Sequence, residues 1–342
     1  MRPADRRTAA VRRGLRAVAL LVLLPATARA QAWLPFRGEG NISLIGQSLR
    51  LSGHFDTDGS RLIGCAPSSA YLAIPEFEYG LTNKLAVSAR VAYVASRFTG
   101  NDSDPCTAEL RQLYEEVRKN CPECPTLTSL DTGAHYSTWQ DAGVTLSYNV
   151  FDKGITVTPA VGITIPTHAY RTVGEAAPGQ GRRALHLGVS AGRLLDSLPG
   201  AYVHARYTWS FVQPLYGITL NRGNAELEAG YALTPTVSLR ALLAWQQTQG
   251  GITYAEAVTR GFGADGRPAT PVLFLDHDRL LRNRYVHLGG GATIALTDTI
   301  DLNAAVLTFV SGSDSHYGVG MTFGLGWKFM AARVPSPSNP VR

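Results

Sequence analysis

After residue 30 the chain has no run approaching 18 consecutive apolar residues, which excludes a membrane-spanning helix. It also lacks a surplus of either charge. The formal +6 belongs to residues 1–30, where seven arginines (Arg2, Arg6, Arg7, Arg12, Arg13, Arg16 and Arg29) stand against Asp5. Without them 25 basic and 25 acidic residues remain, so no basic surface is left for a nucleic acid. Cysteine is scarce, at four in 342 residues. Disorder is excluded as a global description, because 45% of the residues are hydrophobic and mean hydropathy is −0.02.

The first 30 residues read as a cleaved secretory signal peptide: an arginine-rich start, an apolar run from Ala17 to Leu24, and a small-x-small site at Ala28-Arg29-Ala30. The apolar run is too short to anchor the chain, and no cysteine follows the site for a lipid. Residues 31–39 are expected in the periplasm, 40–329 in a barrel, and 330–342, with Pro335, Pro337 and Pro340, in a disordered periplasmic tail.

What is present is a period of two. From Val319 to Phe329 one face carries Val319, Met321, Phe323, Leu325, Trp327 and Phe329, while the other carries Gly320, Thr322, Gly324, Gly326 and Lys328. Such segments predict about twelve strands, at 40–51, 70–80, 84–95, 138–150, 155–166, 184–195, 200–213, 223–234, 236–247, 284–296, 299–310 and 318–329. Tight turns (among them Leu81-Thr82-Asn83, Thr234-Pro235 and Thr297-Asp298) alternate with longer connections at 52–69, 96–137, 167–183, 214–222, 248–283 and 311–317. The expected fold is an all-β transmembrane antiparallel up-and-down barrel of the bacterial outer membrane, with short periplasmic turns and long extracellular loops. Tyr79, Tyr93, Tyr148, Tyr231, Trp245, Trp327 and Phe329 fall on the apolar face near strand ends, as interfacial girdles do.

The other face carries the candidate lumen lining: Glu76, Glu78, Arg90, Asp141, His204, Arg206, Glu226, Glu228, Arg240, Asp301 and Lys328. Counting from the turns puts Arg240 nearly opposite Glu228 and Arg90 diagonal to Glu76. Two readings stay open: a polar pore selecting solutes by charge, or ion pairs that cross-brace a narrow interior. Glycine is frequent on this face, leaving room for a passage or relieving crowding in a small barrel.

Cys65, Cys106, Cys121 and Cys124 all lie in the long connections, and an exported chain favours two disulfides in one of three connectivities. Thr107–Asn120 is expected to form a short loop helix. No metal ligands and no cofactor are assigned. Cys121-Pro-Glu-Cys124 has no second pair, and Asp56-Thr-Asp58-Gly59-Ser60 places Pro67, not Glu, at the twelfth position of a calcium loop. Asp276-His277-Asp278 and Asp314 with His316 are loop residues from which a carboxylate–histidine hydrolase site could assemble, but no nucleophile elbow and no serine–histidine pair across adjacent strands is expected.

The segment Pro75-Glu-Phe-Glu-Tyr-Gly-Leu-Thr-Asn-Lys-Leu85 resembles the "EYGLTDRL" hairpin of the meta-pathway phenol-degradation family, and Gly38-Glu39-Gly40 with Gly53-His-Phe-Asp-Thr-Asp-Gly59 resembles its N-terminal part. The resemblance implies an outer-membrane barrel that takes up small aromatic or hydrophobic compounds. The expected partners are outer-membrane lipid and lipopolysaccharide, small solutes, and the barrel-assembly machinery through the strand ending at Phe329. An alternative is a structural barrel whose long loops bind surface partners.

Overall fold

The computed structural model describes residues 33–100, 130–261 and 271–331, with Ala108, Gln112, Glu115 and Lys119; at 63–66, 258, 261 and 271 it describes the backbone alone. Twelve spanning strands form one closed antiparallel sheet among these residues. They are β1 Glu39–Phe55, β2 Arg61–Gly80, β3 in two segments (Leu85–Arg90 and Tyr93–Phe98), and β4 in two (Tyr136–Trp139 and Asp141–Tyr148). β5 Ile155–Pro166, β6 Ala184–Leu194, β7 Ala201–Val212 and β8 Leu220–Ala232 follow. β9 Val237–Gly250, β10 Arg284–Ala295, β11 Ile300–Ser313 and β12 Ser315–Met330 complete the circuit. β1 pairs with β2 on one side and β12 on the other, from Glu39↔Met330 to Phe55↔Ser315, so the sheet has no open edge.

The alternation does what the sequence predicts. On β12 the apolar row is solvent-exposed in the isolated chain, Phe323 at 64% and Leu325 at 48%, while Gly320, Gly324 and Gly326 face inward and are buried. Comparable rows run around the wall, including Ile42 and Leu44 on β1, Ile163 and Ile165 on β5, and Leu185, Leu187 and Val189 on β6. An apolar belt of this extent is stable only against lipid. The protein is therefore a bacterial outer-membrane barrel. At the periplasmic end Phe77, Tyr79 and Phe329 stack with centroids 6.3–6.4 Å apart, and Tyr93 meets Trp139 edge-on at 5.3 Å further up the wall.

Each interruption of the ladder has a cause. Pro75 has no N–H to give to β3, and β3 divides opposite it, between Arg90 and Tyr93. β4 is split by Gln140, an extra residue facing β3 that forms a bulge. β1 has a bulge at Ser52, and there Gly53 has φ +156°, with its missing Cβ facing the Leu62 carbonyl.

Three periplasmic turns use one device: Thr82, Thr234 and Thr297 each accept, through Oγ1, the backbone N–H three residues on, at 3.0 Å. Two expected long loops are absent. Across 52–69 the strands continue well beyond the predicted ends and are joined by a turn at Asp56–Ser60, because the bulge breaks the alternation without ending the sheet. Across 311–317, β11 and β12 continue to a tight turn at Asp314, whose φ is +47°. The remaining connections at that end are long, as predicted. Ala108, Gln112, Glu115 and Lys119 are helical and exposed, in agreement with the expected loop helix. Cys106, Cys121 and Cys124, the side chain of Cys65, residues 1–32, in which the signal peptide is expected, and the residues after Ala331 lie outside the described residues.

The compact apolar core lies in the loops. Helix α1 (Tyr254–Gly261) opens with a capping box, in which Thr253 Oγ1 accepts the Glu256 N–H and Glu256 Oε2 accepts the Thr253 N–H. Ala257 on α1 and Leu273 on α2 (Pro271–Leu275) join Leu220, Ile252 and Leu280 in one buried cluster.

Candidate functional site: the plugged mouth and the inner wall

The loop 167–183 and the second half of loop 251–283 fold together across the extracellular mouth. Their contacts go around most of the rim. Ser96 on β3 donates to the Ala176 carbonyl at 2.6 Å, Thr138 on β4 bonds His168 at 2.9 Å, and Tyr170 donates to Asp141 at 2.7 Å. Arg182 donates to the Gln213 and Arg279 carbonyls, beyond β7, and His54 on β1 and His316 on β12 complete the circuit.

Asp131 sets the conformation of the first loop, accepting the N–H groups of Glu175 and Ala176 at 3.1 Å each. Gly174 is required there: its φ is +114° and a Cβ would lie 2.8 Å from Asp131 Oδ2. The turn directs Glu175 into the mouth, with its carboxylate only 1% exposed. Glu175 Oε2 lies 3.2 Å from His54 Nε2, and Oε1 lies 3.1 Å from His277 Nε2. Burial pushes the Glu175 carboxyl up, but His277 and His54 outweigh it and hold it well below the usual carboxylate range. Burial likewise pushes His277 down, yet Glu175 and Asp278 raise it to about 10. Asp131, buried and next to Glu175, is pushed up to about 7.

The three loop residues singled out as a possible hydrolase diverge. Asp276 pairs with Arg279 and accepts the Tyr216 hydroxyl, His277 turns to Glu175, and Asp278 accepts from His316 at 3.1 Å. Asp314 does not orient His316; its carboxylate accepts Thr57 Oγ1 and the Tyr254 N–H. A serine–histidine pair across adjacent strands does exist, contrary to expectation. His186 Nδ1 is 2.8 Å from Ser210 Oγ on the next strand, because the two are register partners on the inner face. The other ring nitrogen bonds Thr164 Oγ1 at 2.7 Å, not a carboxylate. Gly188-Val-Ser190-Ala-Gly192 has nucleophile-elbow spacing but runs extended through β6, and Ser190 donates to the Thr158 carbonyl.

Below the plug, the predicted inner-face charges occur as pairs. Arg206 Nη1 is 3.9 Å from Glu226, Arg240 Nη1 is 3.7 Å from Glu228, and Lys328 Nζ is 2.8 Å from Asp301. Tyr202 donates to Glu228 at 2.5 Å. Two register details differ from expectation. Arg90 sits directly opposite Glu76, and Arg240 pairs with Gly230, diagonal to Glu228. Glu78 faces Asn41 and Ser88, His204 is buried opposite Gly192 and Glu228, and Asp141 is drawn up to Tyr170 of the plug. Glu226 keeps 52% of its side chain exposed although it faces inward.

Above Glu76, Glu78 and the Asp301–Lys328 pair, the inner face from β10 through β12 to β1 and β2 has a different character. Ile45 faces Ile74, Leu49 and Leu307 both face Gly320, and Tyr285, His287 and Phe309 form a stack with His287 and Phe309 centroids 4.0 Å apart. A cavity of about 400 Å³ lies at the plug, bounded by Pro166, His168, Ala169, Tyr170, Thr172, Gly181 and Arg279.

No family model matches the chain, and no curated protein matches its sequence. Among solved structures it is similar to an outer-membrane channel from Pseudomonas putida F1, with 13% identity over 89% of this chain and all of that one, at a TM-score of 0.61. The NanC porin covers 84% of this chain and all of its own at 11% identity and a TM-score of 0.46. The beta domain of the Bordetella autotransporter BrkA covers 85% of this chain and 99% of its own at 12% identity and a TM-score of 0.46. The shared architecture is that of outer-membrane barrels.

Proposed function

We propose that this protein is an outer-membrane channel for passive uptake of small amphipathic solutes, aromatic ones among them. The carrying observation is the two-sided interior: an ion-paired strip from Arg206–Glu226 to Arg240–Glu228 stands apart from the apolar, glycine-relieved stretch that Ile45, Leu49, Ile74, Leu307 and Gly320 form on β1, β2, β11 and β12, above Glu76, Glu78 and the Asp301–Lys328 pair. A phenol-like molecule has one end for each surface. Exposure of Glu226 and Arg206 on the inner face supports a water-filled passage in which these residues, with Glu76, Glu78, Arg90, Asp141, His204, Asp301 and Lys328, line the route. The resemblance of Pro75–Leu85 to the phenol-degradation family supports the same solute class.

In this reading the plug is the gate, and the cavity beside Tyr170 and Arg279 is where solute meets it. The described residues of loops 167–183 and 251–283 turn onto one another, which favours gating over a surface-binding role for these two loops. The test is solute flux into liposomes carrying refolded, heat-modifiable protein, comparing phenol and benzoate with a disaccharide, together with single-channel recording. Faster aromatic flux and discrete conductance steps are expected. Correctly inserted protein without flux of any of these solutes overturns the reading.

A further inference from the structure

The mouth contains a group of side chains that the channel reading does not use. His54 from β1, His316 from β12, Glu175 from loop 167–183 and Asp278 from loop 251–283 each present one donor atom, and all four atoms lie within 4.8 Å of one another. The four residues come from four separate chain segments, so their meeting is a product of the tertiary fold. Two imidazoles and two carboxylates are the ligand set that borderline divalent cations take, Zn²⁺ first among them.

Contact geometry separates this group from an ordinary salt-bridge cluster. Glu175 is held at 3.1 and 3.2 Å from two imidazole nitrogens, within ion-pairing range, yet neither contact has hydrogen-bond alignment. Donors that lie about 3 Å apart but aim past one another are arranged like ligands around a common centre. His277, adjacent to the group, donates from Nδ1 to the Phe274 carbonyl at 2.7 Å, which fixes its ring with Nε2 toward Glu175. Outer-shell contacts of this kind orient metal-ligating carboxylates.

We propose that His54, Glu175, Asp278 and His316 bind one divalent transition-metal ion of the zinc class, which clamps both plug loops to the β1–β12 seam. Four-coordinate bonds of about 2.0–2.1 Å require the outermost donors to close by roughly an ångström or more, within reach of the two loop carboxylates. His277 positions Glu175 from behind.

The test uses the full refolded chain, dialysed against Zn²⁺ alone and analysed for bound metal, then loaded with Co²⁺ and examined for ligand-field absorption. About one equivalent per chain is expected, with visible bands of a four- or five-coordinate nitrogen–oxygen site. The His54→Ala/His316→Ala double variant should retain less than about a tenth of that, in line with the loss of two of four ligands. Should this variant fail to fold, Glu175→Gln and Asp278→Asn remove ligands from loops without touching a strand. Heat-modifiable wild-type protein that takes up no metal, or the same amount as the folded variants, overturns the proposal. Metal content is read independently of flux, so either reading can fail without the other.

Discussion

His54 on β1 and His316 on β12 are register partners across the closing seam, their ring centroids 4.2 Å apart. Simple alternation would not bring them together. On β1 the inward positions are odd-numbered from Asn41 to Leu51, and only the extra residue at Ser52 moves an even-numbered side chain to the inside.

Deleting Ser52 should therefore remove the bulge and keep residue 54 inside, because Gly53 then follows Leu51 in plain alternation and residue 54 stays opposite His316. In a His54→Cys background, a water-soluble maleimide should leave the parent unlabelled, since His54 is 6% exposed, and leave the deletion variant unlabelled too. Labelling of the folded deletion variant would show that Ser52 is not the extra residue of the ladder.

The lipid face can be tested at its exposed apolar row. Leu325→Arg puts a charge where hydrocarbon is expected and should destabilise the barrel by about 2–4 kcal/mol if it lies near the midplane. Urea unfolding in lipid vesicles measures this. Glu226→Gln, on the inner face and half exposed, should stay within about 0.5 kcal/mol of the parent.

That same Glu226→Gln change leaves Arg206 without its opposite carboxylate 3.9 Å away. Ion selectivity should move toward anions, read as a shift of reversal potential under a salt gradient. The effect should shrink at high ionic strength, where an exposed charge is screened.

The plug has its own weak point. Asp276 is 1% exposed and receives both the Arg279 guanidinium and the Tyr216 hydroxyl. Asp276→Ala strands a largely buried guanidinium, at a cost of about 3–5 kcal/mol to loop docking. Limited proteolysis should then cut loop 251–283 much faster, and conductance should rise, with heat modifiability of the barrel unchanged.

Much of the wall was legible because lipid demands a simple code: every second residue apolar, on strands long enough to cross. The Leu-Thr turns at 81–82, 233–234 and 296–297 are legible as turns, and the threonine that closes each one repeats at the same place in the sequence. What escaped was set by single residues that break the code. Ser52 and Gln140 shift parity and Pro75 removes a donor, so 52–69 reads as a loop although it continues the sheet. The mouth cluster escaped for another reason. His277, Asp278 and His316 stood out as loop residues, but Glu175 lies in a Gly- and Pro-flanked loop with no periodicity to assign it a direction. Its orientation comes from Asp131, 44 positions earlier. His186–Ser210 follows from strand pairing, because the turn at 195–200 fixes the register between β6 and β7.

The seam between β1 and β12 has a consequence for biogenesis. Glu39 meets Met330 and Phe55 meets Ser315, so the first strand made is the last to gain both neighbours. Until β12 has emerged, the growing sheet has two unsaturated borders, which hydrocarbon does not tolerate. A chain cut short anywhere before β12 has no half-inserted resting state, and completeness of the polypeptide is in effect checked by the membrane itself.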